Sequence, residues 1–258
     1  MHRFSYLLVP LSKAPNFVLQ FPPFNLPPMA PRSHLPPTSQ KASTVPRRAF
    51  LSSASAIWDA LTGGPGGLAR AASASIRRGM ILFRQGDVSG SLAEFDRAIE
   101  LDNRQKAYLW QRGLSLYYLN RFEEGAEQFR LDVAENPNDT EESIWCFLCE
   151  ARVFGVDKAR ERLLEVGEDP RPVMREVYNM FKYGGDPEKL VASFANGHDV
   201  EVFYASLYSG LYYESMDDMD NAKLYIVAAC QTSYGSRSED YMASLAKVHC
   251  SCRNWSFT

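Results

Sequence analysis

From Phe122 to about Glu135, the apolar residues Phe122, Ala126, Phe129 and Val133 recur at steps of three and four, so a helix gathers them on one buried stripe. Asn136-Pro137-Asn138 ends that helix, because proline cannot continue it and restricts the residue before it. Ala107 to Leu119 reads as a preceding helix, with Asn120-Arg121 as the turn between the two. Gly113 stands where the two helices must come close and a side chain would block them. The pattern has a copy upstream: Gly79 precedes Gly113 by 34 residues, Phe95 precedes Phe129 by 34, and Asn103 stands 34 before Pro137. In that copy a first helix runs from about Ala72, Gly86-Asp87 makes the turn, and Leu92, Phe95, Ala98 and Ile99 form the second stripe. A period of this length is expected of helix-turn-helix units, none of which buries its apolar face without a neighbour.

Weaker copies follow. Trp145 to Phe154, a turn at Gly155-Val156-Asp157 and Ala159 to Val166 give a third pair with a shortened second helix. Pro170 and Pro172 then break the chain. Val173 to Tyr183 and Asp186 to Ala195, hinged at Gly184-Gly185, form a further pair without the glycine of the repeat. Phe203 to Tyr213 restores the pattern, with Gly210 and Ala222 twelve residues apart. Glu239 to His249 is expected to be a last helix with no partner, a cap. The fold class predicted throughout is all-α.

The residues Gly79, Phe95, Gly113, Phe129, Pro137, Gly210 and Ala222 occupy the places of a W/L-x-x-L-G-x-x-Y…A-x-x-x-F…P pattern, which resembles the tetratricopeptide repeat (TPR). Ser91 and Gly125 depart from it, standing where the repeat prefers alanine. The resemblance implies helical hairpins stacked as a right-handed superhelical solenoid over residues 72–258. A narrower likeness, to bacterial envelope TPR lipoproteins of the NlpI kind, is carried by three segments. These are Arg112-Gly113-Leu114-Ser115-Leu116-Tyr117-Tyr118, Asn136-Pro137-Asn138-Asp139 with Ser143-Ile144-Trp145, and Gly210-Leu211-Tyr212-Tyr213 with Asp220-Asn221-Ala222. It implies an adaptor that dimerises and brings proteases and hydrolases to their substrates. No cysteine precedes Cys146, so the lipid-anchoring cysteine of such proteins is missing.

In the register of the repeat, the concave groove is lined by Arg77, Phe83 and Arg84 in the first unit, with Met80 beside them. Trp110, Gln111, Tyr117 and Tyr118 line it in the second unit, with Leu114, and Tyr204 and Tyr208 in the last, with Leu207 and Leu211. Aromatic and arginine side chains together make binding hot spots, since they join large contact area to polar handles. Peptide binding there and dimerisation through the same aromatic surface are both open. Packing between repeats is the plainer role for about half of them.

The first 71 residues differ in kind. No Asp or Glu occurs before Asp59, whereas Arg3, Lys13, Arg32, Lys41, Arg47 and Arg48 do, and eleven of the 15 prolines lie there. An acid-poor, proline-rich and non-amphipathic leader reads as a plastid transit peptide over residues 1–46, unstructured by composition. Arg47-Arg48-Ala49-Phe50-Leu51, a mild apolar stretch and Ala69-Arg70-Ala71 resemble a twin-arginine signal with a small-residue cleavage site, over residues 47–71. The expected address is the chloroplast and, through that signal, the thylakoid lumen. If the arginine pair is incidental, a stromal or mitochondrial scaffold is the alternative. The apolar stretch is too short and too interrupted to span a bilayer.

Charge supports the division. The leader holds seven basic residues and one acid, a balance of +6 that leaves the remainder at −9 within the chain's −3. An acidic domain repels phosphate backbones, so nucleic acid is not expected as a partner. Catalytic patterns are missing: there is no G-x-S-x-G, no H-E-x-x-H and no phosphate-cradling loop, and only His198 and His249 lie beyond residue 71. A hydrolase built on His198 is the weakest of the readings. Cys146-x-x-Cys149 sits in an apolar run beside Trp145 and Phe147 and reads as buried structural cysteine. Cys250-x-Cys252 has the wrong spacing for zinc, while a disulfide from Cys230 to Cys250 or to Cys252 stays open. Asp217-Asp218-Met219-Asp220 reads as a turn with an acidic helix cap rather than a calcium loop. Neither metal nor cofactor is expected. The function implied is a non-catalytic protein-binding scaffold that serves assembly, maintenance or proteolytic processing of photosynthetic complexes.

Overall fold

The structure, a computed structural model, describes Gly64 to Phe257, with side-chain environments from residue 67 onward. The leader and the Arg47-Arg48 segment therefore lie outside the described residues. Those described form an all-α arrangement with no strand. In chain order the helices are α1 (Gly64–Arg84), α2 (Val88–Leu101), α3 (Trp110–Tyr118), α4 (Phe122–Glu135), α5 (Thr140–Phe154) and α6 (Val156–Glu161). They continue with α7 (Pro172–Tyr183), α8 (Pro187–Phe194), α9 (Asp199–Ser215), α10 (Met219–Gln231), α11 (Ser233–Arg237) and α12 (Tyr241–Cys252). Among the described residues, no helix is long and apolar enough to cross a membrane.

Three hairpins, α1–α2, α3–α4 and α9–α10, are built on one joint. The first helix ends five residues after Gly79, Gly113 or Gly210, and the second begins nine residues after it. Between them a residue adopts positive φ at the same place each time: Gly86 at 84°, Asn120 at 59° and Asp217 at 60°. Glycine, asparagine and aspartate are the residues that tolerate this left-handed conformation. The reversal lets Asp87, Arg121 and Asp218 donate their N–H groups back to Leu82, Leu116 and Tyr213, which satisfies carbonyls that the helix end leaves open. Asp87 and Asp218 then cap the following helices through their carboxylates, at Gly90 and Asn221. This accounts for the acidic cluster at Asp217–Asp220.

The glycines are explained by what lies sixteen residues on. A Cβ on Gly79 would stand 2.8 Å from the Phe95 ring, one on Gly113 2.6 Å from the Phe129 ring, and one on Gly210 2.4 Å from Ile226 and 3.0 Å from the Ala222 carbonyl. The second helix thus lies directly against the backbone of the first. The two departures from alanine also have local causes. Ser91 turns its hydroxyl to that of Ser115, 3.1 Å away, and a Cβ on Gly125 would meet the Cys149 sulfur at 2.9 Å.

The middle of the chain departs further from the predicted pattern. Asn103–Tyr108 forms a 3-10 turn, so α3 begins at Trp110 rather than Ala107. Helix α6 stops at Glu161 instead of running to Val166. The backbone beyond it is claimed by other elements: the hydroxyls of Ser143 and Tyr178 donate to the Leu164 carbonyl, and Gly167 N–H donates to that of Pro137. Pro172 opens α7 rather than only breaking the chain, as suits a first helical position where no N–H is needed. Asp186 caps α8 through Glu188 and Lys189.

The last helix differs most. The sequence predicts a last helix with no partner, a cap, yet Tyr241, Met242, Ala243, Leu245, Ala246, Val248, His249 and Cys250 are all buried. Helix α12 packs against α1 and α10, at opposite ends of the described sequence. Its polar residues Ser244, Lys247 and Ser251 form one narrow stripe, too thin for a helix with a solvated face.

Gly210→Ala tests the joint. Because the added Cβ would meet backbone as well as Ile226, overpacking lies toward the upper end of its range, about 3 kcal/mol, and the helix gains about 1 kcal/mol from alanine, so a net loss of about 2 kcal/mol is expected as a lower urea midpoint. An unchanged or raised midpoint would mean that α9 and α10 do not touch there.

Candidate functional site

The residues assigned to a groove are brought together in part, but mostly as interior. Phe83, Gln111, Tyr117, Tyr118, Tyr204 and Tyr208 are buried, and Trp110 is half-buried. Only Arg77 and Arg84 are well exposed. Six of the nine therefore cannot meet a partner as the chain stands, which corrects the reading of them as an open surface. For Phe83, Trp110 and Tyr118 the cover is α12, which lies over the first two units. Tyr241 stacks on Phe83 with ring centres 5.3 Å apart, meets the Trp110 ring edge-on at 5.2 Å, and carries the Arg84 guanidinium over its face at 5.4 Å. An aromatic surface of this kind gains about 25 cal/mol for each Å² withdrawn from water, so it is covered by whatever apolar helix the chain can supply.

Tyr117 points the other way, with its ring edge-on to Trp145 at 5.2 Å and to Phe122 at 5.5 Å. Tyr204 and Tyr208 belong to a separate polar cluster. The Arg171 guanidinium donates to Asp169 and, at 2.6 Å, to Glu141, and it lies over the Tyr204 ring. The Tyr208 hydroxyl donates to the other oxygen of Glu141 at 2.9 Å. Both cationic and anionic partners of this cluster are satisfied, which ties the start of α7 to α5 and α9.

Beneath α12 runs a buried string of polar groups that the sequence did not single out as a site. The Tyr118 hydroxyl lies 3.1 Å from His249 Nδ1, and His249 Nε2 lies 2.7 Å from a Glu214 carboxylate oxygen. The other oxygen of Glu214 accepts two N–H groups of Arg253, beginning with Nε at 2.9 Å. Burial would raise the Glu214 carboxyl, but His249 and then Arg253 outweigh it and hold it down at about 2. Burial drives the Tyr118 hydroxyl well above its ordinary range, so it stays protonated. A tyrosine, a histidine and a carboxylate in line have the form of a proton relay. Here the string is enclosed: Tyr118 is buried, and the His249 and Glu214 side chains are 0% and 2% exposed. It therefore positions α12 against α3 and α9. The available signal was that His249 stands amid apolar residues three and four positions away on its own helix.

His198, the other candidate, stands exposed at the start of α9, where its N–H donates to Glu201. Cys146 and Cys149 are buried, as their surroundings suggested, and burial raises both thiols, Cys146 to about 12.

The Glu214 carboxyl makes acid sensitivity predictable. Its folded value lies below the ordinary 4.5, so its stabilisation is present above that value and is lost as pH falls toward about 2. The loss should approach about 3 kcal/mol between roughly pH 5 and pH 2. The difference in unfolding free energy between the native chain and Glu214→Gln, measured across this range, isolates it from carboxyls such as Asp132, which burial pushes up to about 8. A difference that stays constant with pH would show that Glu214 is not held in this way.

No match to the chain was found among models of known protein families or among curated proteins.

Proposed function

We propose that this chain is a non-catalytic protein–protein adaptor of TPR type, addressed to the chloroplast and, through its twin-arginine-like segment, to the thylakoid lumen. Its role there is to aid assembly, maintenance or proteolytic processing of photosynthetic complexes, in keeping with the resemblance to envelope TPR adaptors. One observation carries the reading: a single hairpin joint of glycine, left-handed residue and docked side chain is used three times. Stacked hairpins present long helical faces for partners rather than an enclosed reaction site.

With the aromatic positions taken up by internal packing, the binding face falls on α1. Arg77, Ile81 and Arg84 are exposed and share one side of that helix at steps of four and three. On a domain that is acidic overall, this row suits an acidic segment of a partner or of a second copy.

The test is a tagged full chain expressed in plants and crosslinked in intact chloroplasts, beside the double variant Arg77→Glu, Arg84→Glu. A mature N-terminus near Ala72, recovery inside thylakoids, and partners that fall at least tenfold in the variant are expected. A mature start before Arg47 with stromal or mitochondrial recovery would replace the lumenal address. Partners retained in the variant would remove α1 as the binding face.

A further inference from the structure

Cys230 of α10 and Cys250 of α12 face one another, with their Sγ atoms 3.8 Å apart, and both are free and buried. A disulfide has its sulfurs about 2.05 Å apart, so a closing movement of under about 2 Å would join them. The remaining cysteines are placed differently. The Cys146 thiol donates to the Ala126 carbonyl, Cys149 lies against Gly125, and Cys252 is two residues beyond Cys250, on another side of α12. Cys230 is also approached from outside. Cys230 forms part of the wall of a surface depression of about 560 Å³, together with Gln231, Ser236, Lys247 and Phe257.

We propose that Cys230 and Cys250 are a reversible redox pair, oxidised by a small-molecule or protein disulfide, whose bond fastens α12 to α10. The two thiols have different parts. A hydrogen bond from Cys250 lowers Cys230 against the effect of burial, with Lys247 helping, while that same hydrogen bond and burial raise Cys250. Cys230, as thiolate, attacks one sulfur of the incoming disulfide, forms a mixed disulfide and expels the other sulfur as a thiolate. Cys250 then gives up its proton, attacks the Cys230 sulfur and expels the second thiolate. Two protein thiols become one disulfide, and the incoming disulfide takes up the two electrons and leaves as two thiols. Reduction by a dithiol runs the sequence backward. The effect is specific to this fold, because α12 is the helix that covers Phe83, Trp110 and Tyr118. A covalent tie at Cys250 removes the loose arrangements open to a C-terminal segment in the unfolded chain. The pair stands on this geometry alone and does not depend on the adaptor reading.

The experiment equilibrates the full chain in glutathione buffers of increasing glutathione-disulfide fraction, blocks free thiols with maleimide after acid quenching, and maps tryptic peptides. Oxidation should link Leu224–Arg237 to Val248–Arg253, raise the thermal midpoint by several degrees, and be reversed by dithiothreitol. Cys252→Ser should keep the link and the shift, whereas Cys230→Ser and Cys250→Ser should lose both. Fragmentation of the linked peptide from the unsubstituted chain between Cys250 and Cys252 decides the matter even if a variant folds poorly. A link through Cys252, Cys146 or Cys149 in its place, or full maleimide labelling of Cys230 and Cys250 in the most oxidising buffer, would overturn the proposal.

Discussion

The burial of one C-terminal helix between the first helices and the last hairpin is the constraint on which this arrangement rests. Helix α12 has apolar residues around most of its circumference, and a helix of that kind is stable only when neighbours enclose it. Its neighbours come from α1, α3, α9 and α10, so the chain between them must bring these together. The Glu214 carboxylate in that contact would cost several kcal/mol if left alone in the interior, and His249 and Arg253 offset the cost by direct contact. Such a string tolerates little sliding. A one-residue shift of α12 would withdraw His249 from both Tyr118 and Glu214, so the polar groups set the register that apolar packing alone leaves loose.

The second organising feature is the hairpin joint. In each of the three hairpins a helix end is closed by backbone hydrogen bonds through a left-handed residue, and the next helix is drawn in until its side chain touches backbone. The joint is local: it uses residues within seventeen positions of one another and leaves the angle between successive hairpins to side-chain packing. The stretch from α5 to α8 lacks it, and there the chain is held by polar cross-links instead. Arg171 joins Asp169, Glu141 and Tyr204, while Glu150 is held by Arg130 and Arg162. Ion pairs between half-exposed arginines and largely buried carboxylates fix orientation through geometry, and they replace the repeated packing by contacts particular to this segment.

These two features together decide which surfaces are free. Aromatic residues that would line an open groove are spent on internal contacts, and what remains outward on α1 is basic and mixed with isoleucine. The proposed binding face and the proposed redox pair thus lie on opposite partners of one contact: α1 on one side of α12, and α10 on the other.

Much was legible in the sequence because its causes are local. The second helices of the first two hairpins, the turns at Gly86, Asn120 and Asp217, the reason for Gly79, Gly113 and Gly210, and the acidic cap at Asp218 all follow from residues within one hairpin. The periodic signal failed where helices are buried on every side. In α5, α9 and α12 apolar residues occur all round, so no stripe marks which way they face. Only the tertiary structure decided that α12 covers Phe83, Trp110 and Tyr118, that His249 is an internal tie, and that Cys250 rather than Cys252 meets Cys230. Contacts between residues 83 and 241, or 118 and 249, depend on how every intervening hairpin stacks. That sum of small angles is written in no single segment of the chain.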